Sequence, residues 1–189
     1  MTGIIKKAAM AIIITITMAT VANAQYYTKK GQGDDKFVKG STVLNVGIGF
    51  GSTIYGSGYG MQLPPLSASL EIGVADNLFG NGKGAFGVAP YAGFATYLYS
   101  GTNVTSMNFG MRGNLHYPFT DNLDAYTGLA MGYRMVKWGH DFSGGGLIGN
   151  GVDLGWIIGG RYYFNNNIAG MLELGYGISY INLGVAFKF

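Results

Sequence analysis

The chain has 189 residues, with 12 Lys and Arg against 9 Asp and Glu, and it contains no cysteine. The lack of cysteine excludes disulfides, thiolate metal sites and a lipidated cysteine at the amino terminus. The small excess of positive charge gives no argument for a nucleic-acid or acidic partner. The distinctive features are 34 Gly and 14 Tyr in a chain that is 48% hydrophobic, which argues against low-complexity disorder.

The first 24 residues have the three parts of a cleaved signal peptide. Lys6 and Lys7 form a positive region, residues 8–21 an uncharged apolar region, and residues 22–24 (ANA) a small-x-small cleavage site. An uncleaved anchor helix is disfavoured, because the apolar run is shorter than the roughly 20 residues that span a bilayer. We predict export through the Sec pathway and cleavage before Gln25. Without Lys6 and Lys7 the mature chain has 10 basic and 9 acidic residues.

Residues 25–40 are polar, mixed in charge and without a clear period, and we predict a periplasmic amino-terminal extension there. Residues 41–189 alternate instead between larger apolar residues and Gly, Ser, Asn or charged residues. This period of two predicts eight β-strands. A soluble barrel would bury its apolar face and show Gly and Ser to water, so the pattern favours a barrel in a membrane. We therefore predict an all-β, eight-stranded, antiparallel, up-and-down transmembrane β-barrel after a cleaved signal peptide, with both termini periplasmic.

The third predicted strand is ambiguous in phase. Phe86 and Val88 are out of step with Tyr91 and Tyr97, which predicts a slip near Pro90, where a bulge would accommodate the missing N–H. The other strands alternate cleanly, as in residues 181–189, which end the chain.

The connections differ in length between the two ends of the predicted barrel. Short, turn-like connections are predicted on the periplasmic side. Two longer, Gly-rich loops, residues 52–65 and 139–151, are predicted on the extracellular side, together with two short ones near residues 100–103 and 175–177. The long loops are the predicted contact surface for a host or cell-surface ligand.

Seven charged residues fall on the predicted inner face and none on the lipid face. An unpaired charge inside a narrow barrel is costly, so we expect these side chains to be paired or solvated. One interpretation is a structural plug of ion pairs, and the other is a selectivity lining or gate. Inner glycines leave space for a channel, or for inward tyrosines such as Tyr126 and Tyr163. The predicted interior charge network consists of Glu71, Arg112, Asp124, Arg134, Asp153, Arg161 and Glu173.

Aromatic residues near the strand ends predict interfacial girdles. An alternative for Trp138 is a stacking platform for a sugar or other ligand, formed with Phe142 and Tyr55. The predicted girdle consists of Tyr117, Phe119, Trp138, Trp156, Tyr162, Phe164 and Phe189.

The sequence gives little support for catalysis or for a cofactor. His140, Asp141 and Ser143 place a base, an acid and a hydroxyl close together, but Phe142 interrupts the His-x-Ser pattern, and loops often collect such residues. The other histidine, His116, is predicted near the periplasmic end of strand four. Isolated acidic pairs such as Asp34–Asp35 lack a third metal ligand, and the Gly-rich runs do not connect a strand to a helix. We predict no enzyme, metal or cofactor site.

Three segments of the sequence resemble those of known proteins. They are the terminal GVAFKF, the GGRYYF at residues 159–164 and the signal ending ANAQ. From residue 41 onwards the chain resembles the small eight-stranded outer-membrane barrels of the OmpX type and the transmembrane part of OmpA, and the ANAQ ending is similar to that of secreted proteins of Bacteroidetes, Gram-negative bacteria. The resemblance implies an outer-membrane monomer in contact with lipid and lipopolysaccharide, with Phe189 as the signal for the barrel-assembly machinery. It implies a structural or surface-interaction role; the alternatives are a small-solute channel and, with less support, a lipid-modifying enzyme.

Overall fold

A computed structural model describes residues 36–51, 59–139 and 149–189. Each strand pairs antiparallel with its sequence neighbour, and β8 pairs with β1, so the sheet closes into a barrel in simple chain order. This confirms the predicted eight-stranded, all-β, up-and-down fold. In the part of the chain that is described, no helix has the length and apolar character to cross a membrane. The strands are β1 (Thr42–Phe50), β2 (Tyr59–Asp76), β3 (Ala85–Tyr99), β4 (Thr102–Pro118), β5 (Leu123–Trp138), β6 (Gly151–Tyr163), β7 (Ile168–Tyr176) and β8 (Ile181–Lys188).

Side chains alternate between an exposed apolar outer face and a buried polar inner face. In β6, Val152 and Leu154 are 69% and 63% exposed, whereas Asp153 between them is 6% exposed. The same alternation places Arg161 at 0% exposure farther along the strand. The barrel is therefore apolar outside and polar inside, the reverse of a water-soluble protein.

β2 is longer than predicted, because residues 59–65 belong to the strand and not to a loop. Its register with β3 shifts between Met61 and Leu63 and again between Leu63 and Leu66. Pro64 and Pro65 fall in the second irregularity, a position in which a strand tolerates residues that have no N–H to donate. The remainder of this predicted loop, residues 52–58, lies outside the described residues.

The predicted slip near Pro90 is wrong. The register of β3 with β4 runs without a shift from Ala85 opposite His116 to Tyr99 opposite Thr102. Tyr91 and Tyr97 appear out of phase in the sequence because they are bulky residues that face the lumen, where Tyr97 is almost completely buried.

Four strands extend past their neighbours at one end of the barrel. We call the end at which β1 begins and β8 ends the proximal end, and the opposite one the distal end. The β1–β2 ladder stops distally at Ile48–Leu66, while the β2–β3 ladder continues to Tyr59–Tyr99. β5 likewise continues to Trp138 after its ladder with β6 has ended at Arg134–Gly151. Strands β2 to β5 therefore form a projecting sheet at the distal end.

The residues before β1 close the proximal end. Gly40 N donates to Gly73 O at 2.9 Å, and Lys188 Nζ donates to Lys36 O at 2.7 Å. These bonds turn the chain into the barrel opening, where Phe37 is 4% exposed. Phe37 packs there in a buried apolar cluster with Val43, Ala85, Tyr163, Ala169 and Ala186. The predicted signal peptide and the first part of the predicted extension, residues 1–35, lie outside the described residues.

Candidate functional site

The lumen brings together the seven charged residues singled out in the sequence. They come from five strands, β2, β4, β5, β6 and β7, and all lie on inner-face positions. Each has an oppositely charged partner within ion-pair distance. The pairs form a proximal, a central and a distal group along the lumen. They are Glu71 and Asp124 with Arg161, Arg112 with Glu173, and Arg134 with Asp153.

The proximal group is the most buried and contains a residue that the predicted network omits, His116. Its Nδ1 lies 2.9 Å from Asp124 Oδ2, and its Nε2 lies 2.9 Å from Glu71 Oε1. Arg161 Nη2 donates to Glu71 Oε2, and Arg161 Nη1 lies 3.6 Å from Asp124 Oδ2. Asn114 Nδ2 also donates to Glu71, at 2.6 Å. No member of this group is more than 2% exposed.

Aromatic rings enclose the proximal group on two sides. The Phe37 ring is stacked on the His116 ring at a centroid distance of 4.0 Å and an interplanar angle of 22°. The Tyr126 ring lies 5.1 Å from the same imidazole, and Arg161 Cζ lies 4.7 Å from the Tyr126 centroid. Tyr126 in turn lies against Gly159, where a Cβ would come within 2.8 Å of its ring. The group is thus held by packing as well as by charge.

The central group is built around the carboxylate of Glu173. Arg112 Nη1 donates to Glu173 Oε1 at 3.0 Å, and Tyr126 Oη donates to the same oxygen at 2.8 Å. Asn182 Nδ2 donates to Glu173 Oε2 at 3.0 Å. Arg112 also donates to Ser69 Oγ at 2.8 Å. Since Tyr126 contacts both groups, it couples the central group to the proximal one.

The distal group is smaller and nearer to solvent. Arg134 Nη1 donates to Asp153 Oδ1 at 3.2 Å, and Asn108 Nδ2 donates to Asp153 Oδ2 at 2.6 Å. The Arg134 side chain is 20% exposed, whereas that of Arg161 is completely buried. Charge pairing is therefore strongest toward the proximal end.

A short connection roofs the lumen above the central group. Ile178 lies against Gly93, and Ser179 lies against Gly49 of β1, so closely that a Cβ at either glycine would displace the side chain above it. A cavity of about 60 Å³ remains beneath this roof, and its lining includes Asn45, Ser67, Arg112, Glu173 and Ile178. A space of this size holds only a few waters. The connection occupies residues 177–180, slightly later than the predicted 175–177.

Comparisons with known proteins add neither a family nor a curated relative: no family model matches the chain, and no curated protein matches it. The chain is similar to solved barrels. A de novo designed transmembrane β-barrel is 14% identical, with a TM-score of 0.47, over 81% of this chain and 98% of the design. Ail, the attachment invasion locus protein of Yersinia pestis, is 12% identical, with a TM-score of 0.48, over 80% of this chain and 100% of Ail. Ail in complex with the heparin analogue sucrose octasulfate is 11% identical, with a TM-score of 0.44, over 79% and 98% of the two chains.

The placement of His116 bears on its chemistry. A catalytic base needs one ring nitrogen directed at a nucleophile or substrate. Here both nitrogens face carboxylates, Glu71 and Asp124. This imidazole is therefore committed to the internal network. The other candidates, His140, Asp141 and Ser143, lie outside the described residues.

The two tryptophans do not lie in the predicted aromatic girdle. Trp138 lies opposite the buried Val104 on the inner side of the projecting sheet, with its ring 6.1 Å from that of Tyr99. Its position on β5 has the same parity as Asp124 and Arg134, so it could have been identified as inward-facing. Its suggested platform partners, Tyr55 and Phe142, lie outside the described residues. Trp156 is on the outer face but lies opposite Leu129, in the middle of the wall and not at a strand end. The other predicted members lie at outer-face positions near the proximal end or in the turns and chain end beside them: Tyr117, Phe119, Tyr162, Phe164 and Phe189.

Proposed function

We propose that this protein is an integral outer-membrane barrel with a closed lumen, a non-enzymatic structural element that presents its distal end at the cell surface. The observation that carries the proposal is the pairing of an apolar outer wall with a lumen filled by ion pairs. Burying this many charged groups is costly unless each is paired, and the described charges inside the barrel are paired. Such an interior suits a closed lumen better than a wide aqueous pore.

The outer wall supports a location in a membrane. Large apolar side chains at its centre are highly exposed, with Leu129 at 74% and Met131 at 65%. Aromatic rings gather near the proximal end, where Tyr117 and Phe119 pack edge to face at 5.4 Å and Tyr162 and Phe164 at 5.9 Å. An apolar belt bounded by aromatic residues is the pattern of lipid-facing barrels.

The projecting sheet supports a role in surface interaction. Its outer face carries Thr96, Thr105 and Lys137 in place of the apolar residues found lower on the same strands. These polar positions support an arrangement in which the sheet extends beyond the lipid. We propose that its strands and the predicted loops 52–65 and 139–151 contact a host or cell-surface ligand.

The carboxyl terminus supports assembly as a closed monomer. Phe189 N donates to Thr42 O at 2.9 Å, which ties the last residue to the first strand at the seam of the barrel. We propose that Phe189 is the residue that the barrel-assembly machinery recognises. A barrel closed by β8 on β1 leaves no sheet edge within the lipid, so outer-membrane lipid and lipopolysaccharide are the expected neighbours.

A small-solute channel is the competing function, and the cavity beneath Ile178, with Arg112 and Glu173 in its lining, is the observation in its favour. Planar-bilayer conductance of the refolded mature chain, residues 25–189, separates the two functions. A heat-dependent gel shift first establishes that the barrel has folded, and a known porin serves as the positive control. We expect no steady openings. Steady openings that fall or change ion selectivity in Arg134→Ala would make the protein a channel.

A further inference from the structure

Residues 36–41 form a short plug at the proximal end of the lumen. Besides the bonds from Gly40 and Lys188, Lys39 N donates to Asp76 Oδ2 at 3.3 Å, and Ser41 N donates to Val38 O at 3.0 Å. These contacts leave one large side chain directed into the barrel, that of Phe37. It closes the opening directly over the proximal charge group.

The contact that seats Phe37 is made to a histidine whose hydrogen bonds define its charge. A carboxylate can only accept hydrogen bonds, so an imidazole between two carboxylates must donate from both nitrogens. His116 is in this position between Glu71 and Asp124, with 2.9 Å to each. The geometry thus requires the imidazolium form, and the Phe37 ring is stacked on a cation, a contact that is stronger than stacking on a neutral ring.

Charge balance in the proximal group leads to the same form of His116. Glu71 and Asp124 contribute two negative charges, and Arg161 contributes one positive charge. Protonated His116 makes the buried group neutral. Loss of its proton leaves an excess negative charge in a site that excludes water and turns one ring nitrogen into an acceptor that faces a carboxylate.

We propose that residues 36–41 are a protonation-dependent plug: Phe37 closes the proximal opening while His116 is charged, and the plug loosens when His116 becomes neutral at alkaline pH. This inference goes beyond the proposed function, which requires only that the lumen be filled. Other titratable or charged groups also face the plug and its seat, and the test must separate them from His116. They are Glu71 and Asp76 on β2, Asp124 and Tyr126 on β5, Arg161 and Tyr163 on β6, and Lys188 on β8.

The absence of cysteine from the sequence allows a direct test by thiol labelling. Val43 is fully buried in the Phe37 cluster, and Val43→Cys is close to isosteric there. Its rate of modification by a charged, water-soluble methanethiosulfonate reagent is measured in the refolded barrel at pH about 7 and about 10, which bracket the upper range of histidine titration. Dividing by the rate of Asp121→Cys, in the exposed β4–β5 turn, corrects for the pH dependence of the reagent and of an exposed thiol. The same ratio measured for Val43→Cys in the Phe37→Ala background corrects for the later ionisation of a thiol at the buried position. We expect this ratio to rise about tenfold at the higher pH, as the buried charge imbalance opens the plug.

Three variants assign that change to the plug and to His116. Phe37→Ala, in the Val43→Cys background, is expected to label rapidly at both pH values. Phe119→Ala removes an exposed aromatic ring at the same end and is expected to behave like the parent. His116→Gln cannot become charged and is expected to give a ratio that does not change with pH, whereas Lys188→Gln is expected to retain the rise.

Two results would overturn the proposal in barrels that pass the gel-shift test. One is a ratio for Val43→Cys that is equal at the two pH values, and the other is a rise with pH that persists in His116→Gln. If His116→Gln does not fold, imidazole ¹⁵N chemical shifts of the wild-type barrel decide the matter, with His140→Gln used to assign the two histidines. We expect both nitrogens of His116 to be protonated at neutral pH, and a neutral ring there contradicts the mechanism. Neither readout depends on conductance, so the plug and the proposed function can fail independently.

Discussion

The contribution of each lumen charge to stability depends on how well water can hydrate its partner once the charge is removed. Arg161 is fully buried against Glu71, Arg134 is 20% exposed beside Asp153, and Lys137 lies on the outer face of the projecting sheet. Replacing Arg161 with Ala therefore leaves a buried carboxylate without its arginine partner, and replacing Arg134 leaves a partly hydrated one. Lys137 takes part in none of the ion pairs found among the described residues, so its replacement leaves no carboxylate unpaired there.

We expect the three losses of unfolding free energy to follow the order of burial. Arg161→Ala is expected to cost about 3–5 kcal/mol, as for a broken buried pair. Arg134→Ala is expected to cost about 1–2 kcal/mol, and Lys137→Ala less than about 0.5 kcal/mol. Urea unfolding from lipid vesicles measures the three values. Equal midpoints would show that the lumen charges do not stabilise the fold.

The sequence predicts which face of a strand a residue lies on better than it predicts which residues meet in the lumen. Alternation within a strand is a local property, so it placed residues such as Glu71 and Arg161 on the inner face. Which charges meet depends on register and shear across strands that are distant in sequence, and no local pattern carries that information. The sequence predicts the position of His116 along strand four, but its two carboxylate partners come from β2 and β5. Phe37 was missed because residues 25–40 have no period, and its role arises from a contact with the folded barrel.

At the scale of the strand, the face on which a glycine lies decides whether a larger residue could replace it. Gly159 and Gly160 are neighbours on β6 but face opposite ways. A Cβ at Gly159 would lie 2.8 Å from the Tyr126 ring and 3.0 Å from Leu172 O, whereas a Cβ at Gly160 would have its nearest neighbour at 3.7 Å. Tyr126 has little room to give way, since Arg161 lies over its ring and Glu173 binds its hydroxyl.

Gly159→Ala is therefore expected to destabilise the barrel by about 1–3 kcal/mol through overpacking. Gly160→Ala is expected to be neutral or slightly stabilising, because it adds a methyl group toward lipid and restricts the unfolded chain. The two variants are compared by unfolding midpoint and by the temperature of the gel shift. If Gly160→Ala proved the more harmful, the assignment of the two faces of β6 would be wrong.

The strand boundaries show where sequence patterns mislead. The Gly-rich residues 52–65 predict a loop, yet β2 begins at Tyr59 and continues through Pro64 and Pro65, where its register with β3 is irregular. Pro90 suggested a slip, yet β3 passes through it in register with β4. Proline removes one hydrogen-bond donor and fixes φ, and a strand can meet both conditions without ending or slipping.

For the whole molecule, the position of the lipid boundary follows from where the outer face changes character. Leu129 lies at the centre of the exposed apolar wall on β5. Leu98 also lies on an outer-face position, but near the distal tip of β3, opposite Gly60 and Asn103 on the projecting sheet. Both are leucines that point away from the lumen, and they differ mainly in height. If the sheet projects beyond the bilayer, the same substitution must have different costs at the two positions.

Leu129→Arg is expected to destabilise the barrel by about 2–4 kcal/mol, the usual cost of a cation at the bilayer midplane, and Leu98→Arg by no more than about 1 kcal/mol. Unfolding from lipid vesicles gives both values, and the same pair measured in detergent serves as the control, since a micelle deforms around a charge and narrows the difference. Similar costs in vesicles would place both leucines in the same environment and remove the argument for a sheet that stands above the membrane. A large cost for Leu129→Arg alone would fix the lipid belt on the lower wall and leave the tips of β2 to β5 in water, accessible to a surface ligand.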